Sequence, residues 1–94
     1  MTDFTTRIEL QDATAEDYSA LDAAMLGVNF SKTVRSVRGQ EYKLPHGTYF
    51  SQAFGMSATD VRNLAASAAS RTGRRYDIIT TSGEVAFFLH PATV

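Results

Sequence analysis

Two helix-start signals, each set between strand-like stretches, constrain the fold of this chain more than any other feature. In Thr14-Ala15-Glu16-Asp17 the threonine can cap a helix whose first turn is acidic, as the positive end of the helix dipole favours. Ser57-Ala58-Thr59-Asp60 repeats the signal, with Asp where Glu or Gln is more usual. After the first cap, Tyr18, Leu21, Met25 and Val28 follow at helical spacing and form one apolar stripe. After the second, Val61, Leu64, Ala65, Ala68 and Ala69 do the same with smaller side chains, which predicts close approach to a neighbouring layer. Gly27 to Asn29 and Thr72-Gly73 supply the stops.

The flanking segments read as strands. Phe4, Thr6, Ile8 and Leu10 share one parity, while Thr5, Arg7, Glu9 and Gln11 take the other, the pattern of a half-buried strand. Phe30 to Val37 is rich in Thr and Val, Arg38-Gly39-Gln40 is a turn, and Glu41 to Leu44 returns with Tyr42 and Leu44 inward. Lys32 breaks the apolar parity and is placed near an edge, where its stem can snorkel. Pro45 ends that strand, and Thr48 to Phe54 resumes an extended course. Tyr76 to Thr81 forms the strand after the second helix, and Val85 to Leu89 a last short one. The predicted order is β-α-β-β-α-β with an appended C-terminal strand. That order describes an α+β, ferredoxin-like two-layer sandwich spanning residues 1–94 as one domain.

Composition narrows the classes of function. The 94 residues include no Cys, which excludes a disulfide framework or a Cys-based zinc site and favours a reducing compartment. The start, Met1-Thr2-Asp3-Phe4-Thr5, does not read as a signal peptide, and the apolar run Val85 to Leu89 is too short to span a bilayer. The expectation is a cytoplasmic protein with no membrane association and no cofactor. Val85, Phe87 and Leu89 point one way and Ala86 and Phe88 the other. A terminal strand apolar on both faces points either to a homodimer interface at Val85, Phe87, Phe88 and Leu89 or to a loop or the C-terminal tail covering Phe88.

Charge is unevenly divided. Residues 1–31 hold six acids and one base, a net of −5, and residues 32–94 hold eight bases and four acids, a net of +4. Lys32, Arg35, Arg38, Arg71, Arg74 and Arg75 are the candidate RNA-binding set, with Arg62 and Lys43 nearby in sequence. Tyr42, Tyr49, Phe50 and Tyr76 are candidate stacking rings. Catalytic motifs are nearly absent. His46, in Lys43-Leu44-Pro45-His46-Gly47, is a candidate acid or base, and Arg75 a candidate phosphate-binding cation. Two His residues are too few for a His-only metal site. Asp12 is the one carboxylate placed as a metal candidate, at the end of the first strand, although a local turn explains it equally simply.

Several short segments together resemble a known family. Phe30-Ser31-Lys32-Thr33-Val34 is one, and Tyr42-Lys43-Leu44-Pro45 with Tyr49 four residues after the proline is another. Ala65 to Tyr76 (Ala-Ala-Ser-Ala-Ala-Ser-Arg-Thr-Gly-Arg-Arg-Tyr), Arg7-Ile8-Glu9-Leu10 through Asp12-Ala13-Thr14, and the Asp17-Tyr18 pair complete the set. These are similar to the GhoS-type antitoxins of type V toxin–antitoxin systems. The resemblance implies a ferredoxin-like fold related to the Cas2-type nucleases and an endoribonuclease acting on mRNA. Metal-independent cleavage needs a base, a proton donor and cations on the phosphate, roles that His46 and the arginine cluster would fill. The family's characterised branch uses a basic residue on the first helix, whereas residues 8–31 here contain no Lys or Arg. A second reading is a non-enzymatic protein-interaction module, an inhibitor or regulatory dimer that keeps the fold without the nuclease activity.

Overall fold

Both predicted helices form where their caps place them. The computed structural model describes residues 1–89; His90 lies outside the described residues. Helix α1 (Ala15–Gly27) is capped by Thr14, whose hydroxyl accepts from the Asp17 amide at 3.2 Å while the Asp17 carboxylate accepts from the Thr14 amide at 2.9 Å. Helix α2 (Ala58–Ser70) repeats this reciprocal box with Ser57 and Asp60, at 3.1 and 2.9 Å. Asp is short, but at the third helical position it still reaches back to the cap amide. Asn29, with φ of 69°, turns the chain out of α1.

Strand β1 (Thr2–Leu10) lies at the centre of a three-stranded antiparallel sheet. On one side it pairs with β4 (Thr48–Ala53), and on the other with β5 (Tyr76–Ser82). The alternation of β1 is realised as read: Phe4, Thr6, Ile8 and Leu10 are buried beneath the helices. Thr6 tolerates full burial because its hydroxyl bonds that of Thr80 at 3.0 Å. Leu21 and Met25 of α1 and Val61, Ala65, Ala68 and Ala69 of α2 complete the core with Phe30 and Tyr49. Leu64 departs from its expected burial and is 40 % exposed.

The second and third strands are shorter than their sequence pattern predicts. Ser31 forms an isolated antiparallel bridge to Phe50, and its hydroxyl then donates to the Thr33 carbonyl and accepts from the Thr33 amide. This local turn kinks the chain, so β2 covers only Thr33–Arg35 and pairs with β3 (Glu41–Lys43) as a separate hairpin. The segment after the Arg38-Gly39-Gln40 turn pairs with β2 alone, and β1 is flanked by β4 and β5. Gly47 sets up this pairing. Its φ is +78°, its carbonyl accepts from the Ile8 amide at 2.8 Å, and an added Cβ would sit 2.6 Å from the Ile8 carbonyl oxygen.

The appended C-terminal strand is not present. Gly83, at φ of +126°, closes the pairing of β5 by donating to the Asp3 carbonyl at 2.9 Å, and residues 84–89 follow without strand pairing. They reach the β2–β3 hairpin instead, where the Phe87 ring meets Tyr42 at 5.4 Å between centroids. Apolar content alone does not make a strand without ladder hydrogen bonds to a neighbour. No helix among the described residues is long and apolar enough to cross a membrane.

Candidate functional site

The densest arrangement of titratable side chains lies between α1, the root of the hairpin and β4. The Tyr49 hydroxyl donates to Asp22 Oδ1 at 2.6 Å, and Lys32 Nζ donates to Asp22 Oδ2 at 2.7 Å. Both oxygens of one carboxylate are thus engaged, one by a phenol and one by an ammonium. Tyr49 is fully buried, whereas Lys32 and Asp22 keep 27 % and 24 % of their side chains exposed. Burial above all, and then the hydrogen bond to Asp22, pushes the Tyr49 phenol far above its ordinary value. Tyr49 is consequently a fixed donor rather than a nucleophile, and it is not a free stacking ring.

A second aromatic borders this cluster. Tyr18 packs its ring 4.2 Å from that of His46, and its hydroxyl accepts from the Leu10 amide at 3.0 Å. His46 is exposed beside this ring and has no carboxylate orienting it among the described residues. Sequence patterning does not flag Asp22, but a signal exists. Asp22 stands four residues after Tyr18 and next to Leu21, at the margin of the stripe that α1 buries.

The candidate RNA-binding residues divide by whether an acid pairs with them. Three of them are engaged within the fold: Lys32 with Asp22, Arg74 Nε with Asp17 at 2.9 Å, and Arg35 with Glu41 at 3.4 Å. The acids of α1 thereby neutralise two bases of the second half, which dissolves much of the polarity read from the charge division. The Arg35–Glu41 pair is highly exposed and contributes at most about 1 kcal/mol. Arg38, Arg71 and Arg75 have no ion pair among the described residues. Arg71 opens onto the surface of α1 formed by Ala20, Ala23 and Ala24. Arg75 is held at the start of β5, its carbonyl accepting from the Gln11 amide at 2.8 Å.

His46 and Arg75 stand on opposite sides of β1. Gly47, next to His46, bonds to β1 from the β4 side, whereas Arg75 bonds to the end of β1 from the β5 side. Two strand spacings put those backbones about 10 Å apart across the sheet. Asp12 occupies a turn with φ of 52°. Among the described residues no group of three or more His, Cys, Asp or Glu side chains is placed to hold a metal ion.

The residues proposed for a dimer interface take irregular positions. Phe88 is 96 % exposed, Phe87 is 37 % exposed, and Val85 and Leu89 are half-buried. Phe87, Phe88 and Leu89 line a shallow groove with Ser36, Val37 and Tyr42 of the hairpin. Val37 is fully exposed, so two large apolar side chains stand in solvent on one groove.

No family model matches this chain, and no curated protein matches it.

Proposed function

We propose that this chain is an RNA-interacting protein of the GhoS-type antitoxin kind, folded as a ferredoxin-like sandwich and acting as a homodimer. The observation that carries this reading is the strand arrangement. Taking the Ser31–Phe50 bridge as the join of the β2 segment to β4, the strands run β5-β1-β4-β2, all antiparallel, with both helices crossing between them. With the short β3 counted as an insertion in the second connection, this arrangement is compatible with the 4-1-3-2 order of a β-α-β-β-α-β sandwich. The residues that carry the resemblance also have connected roles. Phe30 is in the core, Ser31 makes the bridge, Lys32 and Tyr49 share Asp22, and Asp17 pairs with Arg74.

RNA contact in this reading falls to the cations without an ion pair among the described residues, Arg71 and Arg75 at the end of α2 and the start of β5, and Arg38 on the hairpin. The experiment is a titration of a short end-labelled single-stranded RNA against the wild type, R71Q/R75Q and R35Q. The double substitution weakens binding strongly and R35Q leaves it within about twofold, since Arg35 is already paired. Equal loss in both variants, or no binding by the wild type at low salt, contradicts the reading. The same gel reports cleavage, and His46→Ala tests whether any cutting depends on the imidazole.

A specific observation favours a second reading, a protein-interaction module. Val37 and Phe88 both stand exposed on one groove, the kind of apolar feature that marks an interaction surface when it is contiguous. In this reading the hairpin and residues 87–89 meet a protein surface, and RNA binding is absent.

A further inference from the structure

We infer that the outer edge of β5 is a self-pairing edge, at which a second copy of this chain adds its own β5 antiparallel about a two-fold axis through Ile79. β5 ends its sheet and pairs with β1 alone. The ladder fixes which of its backbone groups stay free. The Gly83 amide donates to the Asp3 carbonyl and the Gln11 amide to the Arg75 carbonyl, in the register that sets Thr5 against Thr81, Arg7 against Ile79 and Glu9 against Asp77. Bonded residues alternate in an antiparallel pair, so the odd-numbered residues of β5 are the ones bonded to β1. Tyr76, Ile78, Thr80 and Ser82 therefore aim N–H and C=O outward, and no loop or cap among the described residues bonds them. Folded proteins blunt such an edge with lysine, proline, a bulge or a covering segment. Tyr76–Ser82 has neither lysine nor proline, keeps unbroken register with β1, and is rich in β-branched residues.

The free groups select one register. With Ile79 on the axis, Tyr76 faces Ser82 and Ile78 faces Thr80 of the second copy, and each pair can exchange both backbone bonds. Ile79, 68 % exposed on the sheet face away from the helices, then meets its own counterpart as a closely spaced, non-bonded pair. The single charge of the strand, Asp77, faces Thr81, so no like charges are opposed. Moving the axis to Asp77 sets two carboxylates against each other, and moving it to Thr81 leaves Tyr76 to Ile79 with no β5 residue opposite. An isologous contact of this kind closes at two copies. It lies on the side of β1 away from β4 and the hairpin, so it does not compete with the hairpin groove. One strand from each copy makes a small interface, and edge groups that exchange water for one another gain little. Micromolar chain accordingly leaves the edge open, and millimolar chain closes it.

The test uses Val37→Asp with Phe88→Asp, which charges the hairpin groove and keeps that dimer out of the measurement. ¹⁵N-correlated spectra of the full chain are followed from micromolar to millimolar concentration. The inference expects concentration-dependent shifts centred on Tyr76–Ser82, with slowed exchange of the Ile78 and Thr80 amides, and the same shifts in the wild type. Ile79→Lys, at an exposed position, sets two ammonium groups together on the axis and abolishes the dependence. Thr81→Lys gives each Asp77 a cation across the contact and tightens pairing about twofold to thirtyfold, the range for two opposite-charge cross-strand pairs. Absence of concentration dependence, shifts at residues 36–42 and 87–89 instead, a dependence that survives Ile79→Lys, or no tightening in Thr81→Lys each overturns the inference. Failure of the hairpin-groove dimer leaves this test unchanged, because the background variant lacks that contact.

Discussion

Tyr49 and Asp22 are joined by a 2.6 Å hydrogen bond between β4 and α1, and the Asp22 carboxylate is completed by Lys32 at 2.7 Å. This link ties the hairpin root, the first helix and the central sheet together at one carboxylate. Tyr49→Phe removes the phenol donor but leaves Lys32 in place, and destabilises the fold by about 1–2 kcal/mol. Asp22→Ala leaves a buried phenol without its acceptor and costs about 2–3 kcal/mol, the partial exposure of Asp22 keeping it below a fully buried case. Urea midpoints of the two variants and of Lys32→Met test the order, with Lys32→Met the mildest.

The raised pKa of Tyr49 gives a pH dependence at the alkaline end. The folded state holds the phenolic proton more tightly than the unfolded chain, so this contribution to stability is complete below the ordinary tyrosine value of 10.0 and is lost as pH rises above it. Titration at 295 nm should show one of the four tyrosines ionising only as the protein unfolds. In Tyr49→Phe that late step is absent.

The two caps act at the opposite end of the pH scale. The Asp17 carboxyl is lowered first by the Thr14 backbone amide, which burial partly opposes, and then by Arg74; Asp60 is lowered first by the Ser57 amide. Depressed folded-state values mean that their contribution is present above the ordinary carboxyl value of 3.8 and is lost as pH falls below it. Stability of Asp17→Asn and Asp60→Asn should therefore depend less on pH below 4 than that of the wild type. At neutral pH, Thr14→Ala and Ser57→Ala each cost about 1 kcal/mol in thermal or urea unfolding.

Gly47 and Gly39 separate backbone strain from collision. Both have positive φ, +78° and +82°, but only Gly47 has a neighbour, the Ile8 carbonyl oxygen, within reach of an added Cβ. Gly39→Ala costs about 1 kcal/mol from the left-handed backbone alone. Gly47→Ala should cost at least about 2 kcal/mol more, because the β1–β4 pairing must shift to admit the methyl group. Equal midpoints for the two variants would show that the Ile8 carbonyl yields without penalty.

The proposed dimer makes a prediction at the hairpin groove. Val37→Asp with Phe88→Asp places charge on two exposed side chains that support no core packing, so the fold should be retained. Sedimentation equilibrium should report twice the chain mass for the wild type and a single chain for the double variant. A wild type that sediments as one chain removes the dimer.

What is legible in the sequence follows the range of each interaction. The caps at Thr14 and Ser57 depend on residues three positions away, and the β1 face depends on parity alone, so both can be read locally. The Asp22–Lys32–Tyr49 cluster joins residues 10 and 27 positions apart through side chains, and local patterning reaches only as far as placing Asp22 at the margin of the α1 stripe. The division of charge likewise conceals that Asp17 and Asp22 are the counter-ions of Arg74 and Lys32. The extended reading of residues 85–89 rests on composition, whereas Gly83 turns the chain out of the sheet before that composition can act.

The proposed RNA contact rests on Arg71 and Arg75, which have no ion pair among the described residues. The most direct measurement is the salt dependence of binding to a short single-stranded RNA, compared between the wild type and R71Q/R75Q. The account predicts tight binding at low salt, a steep linear loss of log affinity with log salt, and a slope shallower by about 1.4 in the double variant. Affinity that is absent at low salt, or a slope unchanged by removing Arg71 and Arg75, would contradict it.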